Sequence, residues 1–227
     1  MEKQTIFISA DHGLAIVYFL QSDVVPTLLN AGHRVVLLTD DALKESLQTR
    51  CGRSNLEIEG LRLAAANAYY TTHTPEVQWW LNFFRRVGSS NRINTEAMDS
   101  YVRQVAVEEG WKRRALMPAA YLTVAILRRS KVARRKLIDL QMRFAPSLYA
   151  DLFERYKPKL VVASTPGWRL DRYLLREASA RGINTAAVVV GWDNPSSYSI
   201  TGARVNWITC WSEIQKYEMV AGSDWLE

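Results

Sequence analysis

Of the three histidines, at positions 12, 33 and 73, only His12 follows a run that reads as a strand. That run is TIFIS (5–9), and it leads into Ala10-Asp11-His12-Gly13. Imidazole titrates closest to neutrality, and an adjacent carboxylate can orient it or act beside it. Asp11 and His12 are therefore the candidate catalytic acid–base pair. Two further apolar runs end in groups suited to a polar ligand. LVVAS (160–164) runs into Thr165-Pro166-Gly167, and TAAVVV (185–190) runs through Gly191 into Trp192, Asp193, Asn194 and Pro195. Gly13 and Gly167 lie where backbone N–H groups can meet an anion. With Thr165, Trp192, Asp193, Asn194 and Glu213 they form the candidate substrate-binding set. Each has a plainer reading. His12 can simply hydrogen-bond its loop, Asp193 can build an Asx turn before Pro195, and Glu213 can sit in the first turn of a helix for its dipole.

Other chemistries find no pattern. The chain has no Gly-x-Gly-x-x-Gly, no phosphate loop ending in Gly-Lys-Ser or Gly-Lys-Thr, no serine elbow, no His-Glu-x-x-His and no Cys-x-x-Cys. Cys51 and Cys210 are isolated, so no metal site and no disulfide framework is expected, and a cytoplasmic setting is the default.

For these exits to share one edge, the strands must lie parallel in one sheet. TIFIS, RVVLLT (34–39), a short run at 56–61, LVVAS, TAAVVV and VNWITCW (205–211) alternate with helical stretches, as in an α/β fold. TAAVVV is continuous and apolar, so it is expected to be buried on both faces. Helix stops are expected at Gly32 and Gly182, and caps at Asp41, Thr74 (before Pro75) and Ser212. The expected architecture is a Rossmann-like parallel sheet with helices on both faces and a helical insertion at 65–155, all within one domain spanning 1–227.

The insertion carries the charge asymmetry. Between Gly110 and Ile138 there are nine Lys or Arg and no Asp or Glu; without them the 29 basic residues fall to 20, against 23 acidic. WWLNFFRR (79–86) sets aromatics before two arginines. One reading is a packed helical layer with solvated cations outside. The other is an anionic membrane surface contacted by Trp79, Phe83, Arg85, Arg86, Arg113, Arg114, Arg128 and Arg129. Nucleic acid is disfavoured, since no recognition motif is present. The longest charge-free apolar run, 115–127, is too short to span a bilayer, which takes roughly 20 residues.

FISADHGLA with RVVLLT resembles the opening of GT-B glycosyltransferase domains and of the related CDP-glycerol glycerophosphotransferase and UDP-GlcNAc 2-epimerase-like proteins. The stretch YKPKLVVASTPGWRLDRYLLREASARGINTAAVVVGWDNPSS, followed by VNWITCWSEIQKYEM, resembles the end of the first domain in that superfamily. The resemblance covers about 1–60 and 155–221. It implies a single GT-B half on the acceptor side, with His12 or Asp11 as base. It also implies a nucleotide sugar as co-substrate, held mostly by a second domain expected beyond this sequence, and no cofactor of its own. The partners implied are a glycan or lipid-linked acceptor, and the setting is surface-glycan synthesis at the inner face of a membrane. The alternative is a non-catalytic sugar- or nucleotide-binding module, or a membrane-surface domain.

Overall fold

The computed structural model describes residues 3–189, 191 and 194–224. It resolves into two compact units. The first comprises Met1–His73, Phe144–Val190 and Ala203–Thr209. The second comprises Thr74–Arg143, Gly191–Gly202 and Cys210–Glu227, so it takes in the last helix as well as the helical middle.

The first unit is an α/β layer structure. Its elements in chain order are β1 (Thr5–Ala10), α1 (Gly13–Gln21), α2 (Val24–Asn30), β2 (Arg34–Thr39), α3 (Lys44–Cys51), β3 (Leu56–Gly60) and α4 (Leu63–Thr72). The second unit supplies α5 (Pro75–Val87), α6 (Glu96–Glu108), α7 (Trp111–Ala115), α8 (Met117–Arg129) and α9 (Lys131–Met142). The first unit resumes with α10 (Ala150–Tyr156), β4 (Leu160–Ala163), α11 (Arg172–Ala180) and β5 (Asn184–Val188). Then come α12 (Asn194–Tyr198), β6 (Trp207–Thr209) and α13 (Glu213–Ser223). Among the described residues no single helix is long and apolar enough to cross a membrane.

The six strands are all parallel, in the order β3-β2-β1-β4-β5-β6. This is the order of a Rossmann-type doubly wound sheet. It reverses direction between β1 and β4, where such sheets open a crevice at the carboxyl ends of the strands. Ile6, Ile8, Val35, Leu37 and Ile58 face α1, α2 and α3 through Phe19, Val25 and Leu47. On the opposite face Phe7 packs on Phe153 and Tyr156 of α10, with ring centroids 5.4 and 5.9 Å away. The buried Tyr149 hydroxyl donates to the Leu61 carbonyl, and the Tyr149 N–H to Glu177 of α11, so α10 and α11 are tied on that face. β1 and β2 are buried on both faces. The expectation of the same for β5 is corrected. Thr185 and Ala187 are buried, but Ala186 and Val188 are only half-buried, as is Val162 beside them. Towards the β6 edge the α1–α3 layer no longer covers the sheet fully.

The glycine stops stand where expected: Gly32 and Gly182 have φ of 83° and 71°, the left-handed region that glycine enters without a Cβ clash. Two caps differ. Asp40, not Asp41, accepts the capping hydrogen bond, from the Ala42 N–H. Asp41 instead accepts from the Leu63 N–H and lies against Gly60. Thr74 precedes Pro75 at the start of α5 but is itself left-handed, and its hydroxyl makes no cap.

The second unit is helical, around Phe83, Val87, Met98, Val102, Val105, Met117 and Val124. Helical spacing predicts one buried face of α5 from Val77, Trp80, Leu81, Phe84 and Val87, with Trp79 and Phe83 as a second apolar stripe. Val87 is buried as predicted, but Val77 is half exposed and Trp80, Leu81 and Phe84 are half-buried, while Phe83 and Arg85 are buried. Phe83 stacks on Trp79, with centroids 5.6 Å apart. Arg85 is buried because its guanidinium is consumed by the fold. It donates to the carbonyls of Tyr198 and Ile200 at 2.9 and 3.2 Å and to Asn82 at 3.1 and 3.0 Å. The buried Arg134 pairs with Asp224 through two hydrogen bonds, tying α9 to the end of α13.

Candidate functional site

The site grows from the two strands that flank the reversal. Asp11 directly follows β1, and its side chain is 2% exposed. His12 follows in extended backbone and begins α1, and its ring is not spent on capping that helix. Asp11 Oδ1 takes the Nδ1–H of His12 at 2.7 Å and the Ser164 hydroxyl at 2.9 Å. Asp11 Oδ2 takes Arg169 Nε at 2.6 Å. Because an ionised carboxylate only accepts, the His12 proton belongs on Nδ1, leaving the Nε2 lone pair for a reacting group.

This arrangement separates the two roles that the sequence left together. Both oxygens of Asp11 are occupied and buried, so Asp11 orients His12 and holds compensating charge. His12, with its side chain 27% exposed, is the member that can meet a substrate proton. Arg169, half-exposed, makes one contact to Asp11 through Nε; its terminal nitrogens make no hydrogen bond among the described residues and can take an anion or sugar oxygen.

The β4 exit is held by a second, wholly buried carboxyl. Asp171 Oδ2 bonds the Thr165 hydroxyl at 2.7 Å, and Oδ1 accepts the Arg169 N–H at 3.3 Å. The Trp168 N–H donates to Thr165 Oγ1 at 3.0 Å. Burial, with the charge of Asp11 next, pushes the Asp171 carboxyl up to about 7. Thr165 is thereby committed to locking its own loop, with Gly167 at φ 81° making the turn. Gly13 has open space over its Cα.

The structure thus brings together Asp11, His12, Gly13, Thr165 and Gly167. Sequence reasoning missed Ser164, Arg169 and Asp171. Their only signal was position, since SxxxxRxD directly follows a strand exit. Trp192 and Asp193 lie outside the described residues; Asn194 opens α12, and its side chain is likewise not described. Glu213 belongs to the second unit, in the first turn of α13, 93% exposed beside Lys216. Ser212 caps that helix as expected, accepting from the Gln215 N–H. Among the described residues no three His, Cys, Asp or Glu side chains gather as a metal site.

The proposed membrane-contacting residues are mostly spent inside the second unit. Phe83 and Arg85 are buried, which corrects that expectation for both. Half-buried Trp79 lies under the Arg113 guanidinium, 4.0 Å away, and half-buried Arg86 lies over Tyr101 at 3.7 Å. Arg113 pairs with Glu76 and Glu109, and Arg128 with Asp99. Of the eight, only Arg114 and Arg129 are exposed.

No protein-family model matches the chain, and no curated protein matches it. Among solved structures it is similar to CalG4, the calicheamicin glycosyltransferase (13% identity, TM-score 0.32, covering 83% of this chain and 32% of that one). It is also similar to UGT89C1 of Arabidopsis thaliana complexed with quercetin (13%, 0.33, covering 83% and 35%) and to the Streptomyces sp. SF2575 glycosyltransferase SsfS6 (13%, 0.30, covering 82% and 39%). The chain spans about a third of the length of these proteins. Likeness at this level carries no argument about activity; the fold class rests on the strand order itself.

Proposed function

We propose that this chain is the acceptor-binding half of a nucleotide-sugar-dependent glycosyltransferase, or of a related glycerophosphotransferase-like enzyme, working at a membrane face in surface-glycan synthesis. The observation that supports it most is the Asp11–His12 pair at the sheet's reversal point. A buried carboxylate fixes the Nδ1–H tautomer, and Nε2 is left to take the proton of an acceptor hydroxyl as that oxygen attacks the donor's anomeric carbon and the bond from that carbon to the nucleotide's phosphate oxygen breaks, the nucleotide leaving with the electron pair. Arg169 steadies the acceptor or a donor phosphate. Beside His12, the exposed Leu14, Val17 and Tyr18 of α1 form an apolar ledge suited to a lipid-linked or aromatic acceptor. The nucleotide sugar is a co-substrate, held mainly by a second domain.

The test is transfer from a panel of nucleotide sugars by the gene product that carries this chain. His12→Ala is expected to lower kcat by about 10²–10⁴, the usual contribution of a general base, with the fold retained because His12 is part-exposed. A loss below about tenfold would sink the role given to His12. Saturable nucleotide or sugar binding without turnover by the wild type would favour the binding-module reading.

A further inference from the structure

The nine basic residues between 110 and 138 divide sharply. Arg113, Arg128 and Arg134 are paired with acidic side chains of their own unit. Lys112, Arg114, Arg129, Lys131, Arg135 and Lys136 are all exposed and make no ion pair among the described residues. Beside them α8 turns apolar side chains outward. Leu122 is 65% and Ile126 51% exposed, at a spacing of four that stacks them on one helix face with Arg129 one turn on. No acidic residue lies between 111 and 138; the one on α7–α9 is Asp139 of α9, exposed and set against the six cations.

A cleft of about 330 Å³ opens along the neighbouring side of α8, against α6. Arg103, Arg128, Arg129 and Tyr121 line it, with Asp99. Asp99 is matched by Arg128 Nη1 at 2.7 Å, which leaves Arg103 and Arg129 as net positive charge. Arg128 also donates through Nε to the Val87 carbonyl, but its Nη2 is buried with no hydrogen-bond partner. Nη2 is closed to solvent, so the charge this cleft offers a phosphate comes from the exposed Arg103 and Arg129.

We propose that the α7–α9 face docks on an anionic phospholipid surface, with the phosphate of one headgroup held in the Arg103–Arg128–Arg129 cleft while Leu122 and Ile126 enter the acyl boundary. Charge complementarity selects this occupant. Six exposed cations with no ion pair among the described residues lie on the same helices as the apolar Leu122 and Ile126, and the aromatics of α5 are buried or half-buried, so the contact belongs to α7–α9 and not to the Trp79–Arg86 stretch. The proposal rests on the membrane-facing part of the functional reading and is independent of the chemistry at His12.

The experiment is sedimentation of the whole 227-residue chain with phosphatidylglycerol–phosphatidylcholine vesicles and with pure phosphatidylcholine vesicles. Binding is expected only to the anionic vesicles, and is expected to fall away by about 0.5 M salt. Leu122→Ser with Ile126→Ser, and separately Arg103→Gln with Arg129→Gln, are each expected to weaken it about tenfold or more. These positions are exposed, so circular dichroism should report an unchanged fold. Equal binding to neutral vesicles, no binding at all, or unaltered binding by both double variants would overturn the proposal. Soluble glycerol phosphate competing as tightly as vesicles would also overturn it, marking a small-anion site instead. His12→Ala is expected to bind vesicles like the wild type. No vesicle binding by the wild type, with its transfer to a soluble acceptor intact, would refute the docking face alone, whereas intact docking with no transfer would refute the catalytic reading alone.

Discussion

Asp171→Asn probes the lock that sets Arg169 in place. Asp171 is wholly buried, and its carboxyl is pushed from an ordinary 3.8 up to about 7 by burial and by the charge of Asp11. Between those values the folded chain holds a proton that the unfolded chain has released. The folded carboxyl value is the raised one, so its contribution to stability is fully present below about pH 4 and is lost as pH rises through about 7. One proton limits the slope to about 1.4 kcal/mol per pH unit. Asparagine keeps the shape and carries no charge, so it removes this dependence. Urea unfolding of both proteins at several pH values gives the stability difference between them. That difference should move in favour of Asp171→Asn as pH climbs from about 4 to about 7, and level off outside that range. Using the difference cancels titrations elsewhere in the chain. Asp11→Asn in the wild-type background should end the falling limb at lower pH, because it removes the neighbouring negative charge. A wild-type-to-Asn difference independent of pH would refute the buried-proton argument and, with it, the loop lock as drawn.

Two further outcomes follow from the packing. Arg85→Ala should destabilise the second unit by about 3–5 kcal/mol, because the Tyr198 and Ile200 carbonyls lose their donors at roughly 1–3 kcal/mol each and a cavity opens. Arg85→Met, which restores volume but not donors, should recover only part of this in urea unfolding. Gly60→Ala should cost about 1–3 kcal/mol, since its new Cβ would overlap the Asp41 carboxylate that accepts the Leu63 N–H; an unchanged urea midpoint would show that this corner yields freely.

Much of the fold is legible along the chain. The apolar runs, their glycine-ended helices and the polar residues after them report strands, stops and exits, because those signals are local. They place Asp11 and His12 at a strand exit, and the prediction of a helix-covered parallel sheet follows from the strand–helix alternation. The misread faces of α5 show the limit. Periodicity reports that a helix has an apolar side, but Arg85 is buried because two carbonyls from a segment 113 and 115 residues away receive it, and nothing in WWLNFFRR states that.

The same limit governs the site. Local sequence is sufficient for the pair Asp11–His12, because adjacent residues at a strand end are held by the strand. The partners that define their roles come from tertiary structure. Ser164 and Arg169 stand 153 and 158 residues from Asp11 and reach it because β4 pairs with β1. That pairing buries the carboxylate, saturates its oxygens and leaves His12 as the exposed member. Tertiary structure likewise decides which cations between 110 and 138 are spent on ion pairs and which face outward. Strand order and helix packing join distant segments, and the free energy of those contacts depends on the partner each side chain finds, which no single stretch of sequence contains.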